Sequence, residues 1–258
     1  GDSKNGVQSL EIGMTILQAI SSGHRSMMLK DIAAAADMPA SKVHRYIVSL
    51  VRSGLVEQDP MTSRYDLGPF ALSLGLVAVD RLDRVKLGLN SISELRDLTN
   101  ETTALSVWGA FGPVMVRWER PHRPIPVNVV TGTALHLLTS ASGRVFAAWL
   151  PESTTRSHIG RELATLALPE TLKTSAGIQA MLDQVRQEGV SIVSDYHLVP
   201  GVAAAAAPIF NFKNEITLSV LAIGVKGMID LSIDGPVVTA LRRSAQTLSL
   251  RLGYTGKP

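Results

Sequence analysis

The chain has 258 residues, 45% hydrophobic and 18% charged, with 25 basic and 22 acidic side chains and no cysteine. That length allows one large or two modest domains, each able to bury its own core. The absence of cysteine excludes a disulfide scaffold, a thiolate metal site and a Cys nucleophile, and a net charge of +3 leaves nucleic-acid binding to be judged from how the charges are distributed.

Ser9 is placed to cap a first helix, with Leu10, Met14 and Leu17 at i, i+4 and i+7 and with Ile12, Ile16 and Ile20 widening the apolar stripe. A second short helix is expected over residues 29–36, burying Leu29, Ile32, Ala33 and Ala36. Asp37-Met38-Pro39 breaks the chain, and Pro39 is pre-set to open a third helix over residues 40–53. On that helix Val43, Ile47 and Leu50 point inward. Ser41, Lys42, Arg45, Ser49 and Arg52 point outward, His44 lies near the boundary, and Gly54 is the stop. Two extended runs follow, residues 55–58 and 64–67, joined by the turn residues Asp59 to Ser63. Three helices and a hairpin make a winged helix-turn-helix.

Between Met38 and Val56 there are three basic residues, Lys42, Arg45 and Arg52, and no acidic one, while Arg64 sits in the wing. A helix entering the major groove needs short polar side chains near its N-terminus and cationic groups for phosphates and guanine edges. From charge alone, a merely solvated basic face reads the same way. The tight turn and the wing favour DNA.

Several segments now resemble one family, the IclR bacterial transcriptional regulators. They are Ser9-Leu10-Glu11, residues 39–45, residues 54–60, residues 64–68, Gln187-Glu188-Gly189-Val190, Pro200-Gly201-Val202 and residues 206–210, in order along nearly the whole chain. The resemblance implies a winged helix-turn-helix domain over residues 1–68, a linker helix over 69–82 and a GAF-like effector-binding domain over 83–258. It implies dimers or dimers of dimers on palindromic double-stranded operators. The implied DNA-contact set is Lys30, Ser41, Lys42, His44, Arg45, Ser49, Arg52 and Arg64. Lys42 stands where Ser or Thr is common in the family, and Ala40 where Lys is common, which bears on operator preference.

Residues 69–82 carry Phe70, Leu74 and Val77 at helical spacing with little charge, which suits a helix packed on another across a dimer axis or within one chain. A helix capped by Asp83 runs to Thr99 with Val85, Ile92 and Leu95 on one face. Strands are expected over 103–110 and 114–120 around Phe111-Gly112-Pro113, then over 126–131, 190–194, 203–211 and 216–224, the last two joined near Asn214. Helices capped by Ser140 and by Ser175 run to Leu150 and Glu188, and a closing helix over 236–252 buries Val238, Leu241, Ala245, Leu248 and Leu252. Helices around a mainly antiparallel sheet give an α+β fold.

The sequence carries no G-x-S-x-G, H-E-x-x-H or phosphate-binding glycine loop, and its six His, at 24, 44, 122, 136, 158 and 197, have no metal-ligand spacing. No enzyme, cofactor or metal is expected. Apolar stretches such as residues 218–225 fall short of the roughly 18 residues that span a bilayer. Gly1-Asp2-Ser3-Lys4 lack an apolar signal core, so a cytoplasmic location is expected and no membrane partner.

The resemblance implies an effector site at Val127, Leu135, Ala141, Ser142, Ser194, Asp195, Ala204, Leu221 and Ile223. Family members that bind small keto acids have an Asp, a Cys and two Ser at the positions of Ser194, Ala204, Leu221 and Ile223. The change favours a ligand with an apolar or aromatic body, with Ser142 or Asp195 fixing one polar end. A tightly packed core would also explain the small residues 203–207. Arg117, Trp118, Arg120, His122 and Arg123 form a basic cluster against Glu119, which suits a solvated sheet edge, a carboxylate site or a subunit contact. The reading is an effector-responsive repressor of transcription. An activator is left open, as is a metabolite-binding protein or enzyme whose helical unit serves assembly.

Overall fold

The computed structural model describes residues 6–23, 25–80, 83–122, 131–194 and 200–256. The chain divides into two compact units, Gly1–Leu82 and Asp83–Pro258.

In the first unit, helices α1 (Gln8–Ser22), α2 (Leu29–Ala35) and α3 (Ala40–Arg52) precede a hairpin of β1 (Val56–Gln58) and β2 (Tyr65–Leu67), and α4 (Pro69–Asp80) follows. Ile16, Ile20, Ile32, Val43, Ile47, Val56 and Tyr65 make its core. Ser9 does not cap α1. The cap is Val7, whose carbonyl accepts from Leu10 and Glu11, so Ser9 lies inside the first turn. Of the two apolar stripes on α1, the Ile12–Ile16–Ile20 side meets the core, whereas Leu10 is 65% and Met14 47% exposed.

The turn between α2 and α3 satisfies its own backbone. Asp37 adopts φ 51°, its N–H donates to Ala34 O, and Met38 N–H donates to Ala33 O. This is the paired-bond helix ending usually made by Gly.

The second unit opens with α5 (Arg84–Thr99), capped by Asp83, whose carboxylate accepts from Lys86 N at 3.0 Å. A five-stranded sheet follows, in the order β4 (Gly112–Glu119), β3 (Thr102–Gly109), β7 (Ile216–Val225), β6 (Val202–Phe210) and β5 (Ser191–Val193), with every neighbouring pair antiparallel. The β3–β4 turn is Ala110-Phe111, and Gly112-Pro113 already belong to β4; a proline is tolerated there because its carbonyl faces away from β3 and accepts from Leu135 N at 2.8 Å, so the missing N–H removes no bond from the β3 ladder. The strand expected over 126–131 lies almost wholly outside the described residues.

The remaining helices are α6 (Ala141–Trp149), α7 (Glu152–Thr165), α8 (Ser175–Glu188) and α9 (Pro236–Arg251). Ser140 caps α6 by accepting from Gly143 N at 2.9 Å. Thr174, not Ser175, caps α8, accepting from Gly177 N at 3.1 Å. Helix α7 is absent from the sequence expectation, because it is mostly polar and only one narrow stripe of it is apolar. Strand alternation sends Ala104, Ala204, Ala206, Leu221 and Ile223 into one core with α6 and α8. The alternate residues face α5 and α9: Thr103 Oγ1 donates to Ile92 O at 2.6 Å, and α9 lies against β6 and β7. The result is helix, sheet, helix in three layers.

Gly143 sets how closely α6 approaches the preceding loop, since a Cβ there would collide with the His136 carbonyl. Gly143→Ala is therefore expected to cost about 3 kcal/mol by overpacking, read as a lowered thermal midpoint with the first unit's transition unchanged.

Candidate functional site

Helix α3 presents a face on which Ser41, His44, Arg45, Ser49 and Arg52 are exposed and Lys42 half-buried, while Val43 and Ile47 on the opposite side are buried. Successive positions advance by 100°, so Ser41, Arg45 and Arg52 fall within one narrow stripe. Thirteen residues make this helix about 20 Å long, and no carboxylate interrupts it. Lys30 is exposed on α2. His44 stands on the exposed side of the boundary.

The wing differs from the helix in charge. Glu57, Asp59 and Asp66 are exposed beside the one wing cation, Arg64, and Arg64 NH1 donates to Ser26 O at 2.8 Å, tying β2 to the segment before α2. Asp59 accepts from Met61 N at 2.7 Å and from Thr62 N at 3.3 Å. The Met61 N–H above all, then Thr62, holds this carboxyl below its ordinary value and keeps the turn acidic.

In the second unit the structure brings Leu135, Ala141, Ala204, Leu221 and Ile223 into a single apolar core, all at most 5% exposed. Ala204 opposes Ile223 across β6 and β7. Ser142 is fully buried, and its hydroxyl is bonded to that of Ser106 on β3. Ser219 opposes Ser106 across β3 and β7, equally buried, and its hydroxyl has no hydrogen-bond partner among the described residues. Ser194 follows β5 and is half-buried. Val127 and Asp195 lie outside the described residues.

Three participants escape a reading by motif. Ser106 and Ser219 lie two residues from Ala104 and Leu221 on their strands, and that period of two was the available signal. The third is Glu162 on α7. Its Oε1 accepts from Leu137 N at 2.6 Å and its Oε2 from Leu138 N at 2.9 Å, so one buried carboxylate pins the segment that leads into α6. Thr155, Ile159, Glu162 and Leu166 share one helical face, so a carboxylate on the stripe of α7 that packs inward was legible.

The basic cluster on β4 has more acidic company than Glu119. Arg96 on α5 bridges Asp97 and Glu119 at 2.8 and 3.1 Å, and His122 Nε2 lies 3.1 Å from Asp97 Oδ1. Arg96, then His122, holds the Asp97 carboxyl below its ordinary value. Arg120 stacks over Trp118, 5.0 Å from the ring centroid. Arg123 lies outside the described residues. Among the described residues there is no His, Asp or Glu cluster able to hold a metal, and no helix long and apolar enough to cross a membrane.

Residues 9–60 match the IclR helix-turn-helix domain and residues 77–250 match the bacterial transcriptional regulator IclR C-terminal domain. The chain belongs to the IclR family. Its relatives include a glycerol operon regulatory protein of Streptomyces griseus, 31% identical over 96% of this chain and 97% of that one. The transcriptional repressor AllR of Klebsiella pneumoniae is 23% identical over 97% of this chain and 92% of its own. The crystal structure of Pseudomonas aeruginosa HmgR superposes with a TM-score of 0.87, at 35% identity over 97% of this chain and all of that one. As an IclR-family protein the chain is a DNA-binding transcriptional regulator and not an enzyme.

The Glu162 arrangement is testable without knowing a ligand. Glu162→Ala leaves two buried N–H groups unpaired and is expected to lower stability by about 2–4 kcal/mol in denaturant melts. Glu162→Gln, which keeps one acceptor oxygen, should recover part of that loss.

Proposed function

We propose that this regulator is a repressor that reads operator DNA through α3 and releases it in response to a small molecule held in the second unit. The exposed face of α3, basic and free of carboxylates directly opposite its buried side, carries the reading. Ser41, Lys42, His44, Arg45, Ser49 and Arg52 are the contact set on that helix, with Lys30 and Arg64 meeting phosphate at its margins. Because the wing is rich in carboxylates, α3 supplies most of the phosphate contacts. Residues 1–68 form the DNA-binding domain, 69–82 the linker helix and 83–258 the sensor of a cytoplasmic regulator.

The chain binds a palindromic operator as a homodimer or a dimer of dimers, and α4 pairs two copies. Phe70, Leu74 and Val77 lie on one side of α4, 46–56% exposed, and an apolar stripe of that kind is stable only when covered.

The effector occupies the core formed by Leu135, Ala141, Ala204, Leu221 and Ile223, with Val127, Ser194 and Asp195 completing its edge. Ser142, Ser106 and Ser219 provide the polar end. The hydroxyl of Ser219 is the group that an oxygen of the ligand would satisfy. A carboxylate with an aromatic or otherwise apolar body fits these walls better than a small keto acid.

Arg45→Ala is expected to weaken operator binding roughly tenfold to a hundredfold and to reduce the dependence of log K on log salt by about 0.9 for each phosphate that is no longer neutralised. Unchanged affinity and slope would remove α3 as the reading helix. Leu74→Glu should convert the dimer to monomer in sedimentation at a concentration where the parent is paired. In thermal-midpoint measurements, aromatic carboxylates should stabilise the parent, and Ile223→Ser should shift the preference toward small keto acids. Stabilisation of the parent by keto acids alone would overturn the apolar reading of Ala204, Leu221 and Ile223.

A further inference from the structure

The sheet divides the charged residues of β4 between its two faces. Strand alternation turns Arg117 and Glu119 toward α5, where Arg96 bridges both Glu119 and Asp97. Trp118 turns the other way and packs on the core shared with α6 and α8. Arg120 continues that alternation and stacks over Trp118, 5.0 Å from the ring centroid. The acids of the cluster therefore lie on the far face from Arg120. Apart from the stack, its exposed guanidinium has no ion pair or hydrogen bond among the described residues.

The strand register sets this pair against the proposed effector core. Trp118 opposes Ala104 on β3, and Ala104 opposes Leu221 on β7, so only a methyl group lies between the indole and Leu221 in their row. In the next row Thr102 opposes Ile223 and Ile223 opposes Ala204, and Arg120, the residue after Glu119, stands at the β4 end of it. Ser106 and Ser219 share a row on the other side, four residues and about 13 Å away along β3. A single carboxylate cannot meet both ends. Its full charge is matched at Arg120, because stacking occupies the face of the guanidinium and leaves the N–H groups in its plane available. The neutral serine hydroxyls suit an uncharged oxygen.

We infer that Arg120 receives the carboxylate of the effector held in the core proposed above, on which this assignment rests, and that Trp118 is an aromatic wall beside the ligand's ring. Neighbouring rows on one face are about 7 Å apart. A ring set beside Trp118 and over Ala104 therefore brings a carboxylate on that ring, or one or two carbons from it, within reach of Arg120. The stack on Trp118 holds the guanidinium in place before the ligand arrives, so less side-chain freedom is lost on binding. An amide of the same shape keeps the ring contacts and loses the ion pair.

Benzoate and 3-phenylpropanoate, each compared with its amide, are the probes. Calorimetric titration of the full chain should show binding of at least one acid, preferred over its amide by roughly tenfold to a hundredfold. Arg120→Gln should reduce that preference to about twofold or less while affinity for the amide holds. Arg120→Lys, which keeps the charge without the planar fork, should fall between the two. Because Arg120 is exposed, the thermal midpoint of the free protein should stay level in both variants. Arg117→Gln, which removes an equal charge from the opposite face of β4, should leave acid and amide binding unchanged. If neither acid binds the parent, the aromatic-carboxylate reading of the effector falls and the Arg120 assignment falls with it. If an acid binds the parent, the Arg120 assignment alone is overturned by equal binding of acid and amide, by a preference that survives in Arg120→Gln, or by its loss in Arg117→Gln.

Discussion

The five consecutive alanines of β6, residues 203–207, are buried to at most 3% exposure, and they set the distance from the sheet to both of its helical layers. Because strand residues alternate, Ala204 and Ala206 face α6 while Ala203, Ala205 and Ala207 face α9. A larger residue at any of them would lift a helix off the sheet. The paired strand β7 carries bulk instead, with Leu218, Val220, Leu221 and Ile223 buried, so the small strand and the large strand interdigitate across their register. That register brings Ile223 opposite Ala204 and Leu221 opposite Ala206. A slip by one residue would exchange the two faces and dismantle both cores.

With the sheet spacing set, α6 is held from three sides. Ser140 and Gly143 define its start, Glu162 binds the two amides just before it, and Arg144 reaches back to Leu138 O. Buried backbone polar groups must be paired, and here side chains pair them because the segment has no strand neighbour at those positions. The cost of such a design is rigidity. Movement of this segment on ligand binding would have to carry α7 with it through Glu162, so a ligand that binds two arrangements differently has a mechanical route to a second helix.

Most of the architecture was legible because the periodicities are strong. The buried faces of α2, α3 and α9, the Asp83 and Ser140 caps and the β6–β7 hairpin all follow from spacing and turn chemistry. Where the reading failed, two local signals competed and the tertiary contacts chose. Helix α1 has two apolar stripes, and the one facing Val43 and Ile47 was buried. Thr174 and Ser175 are both good caps, and the residue whose hydroxyl reaches Gly177 N took the role. Helix α7 is mostly polar, with a carboxylate on its inward stripe, so hydrophobic pattern alone passes over it. The polar residues of the second core were the least legible. For a serine inside an apolar strand the period of two gives the face but not the neighbours, and Ser106 and Ser219 are neighbours only through the β3–β7 pairing.

The first unit is built more lightly than the second. Among the described residues its cluster of buried apolar side chains numbers ten, three of them alanine. A core of that size in a unit of about 80 residues supplies only a few kcal/mol. Its last helix meanwhile leaves Phe70, Leu72, Leu74, Leu76 and Val77 at 46–64% exposure, with Phe70, Leu74 and Val77 on one side and Leu72 and Leu76 on the other. Covering either stripe would add apolar burial comparable with what the isolated core contains, at about 25 cal/mol per Å². Folding of this unit and pairing of two chains would then be linked through mass action. The same α4 contact that steadies the unit would fix the separation of two α3 helices, and that separation, rather than any single side chain, dictates which operator spacing two copies can read at once.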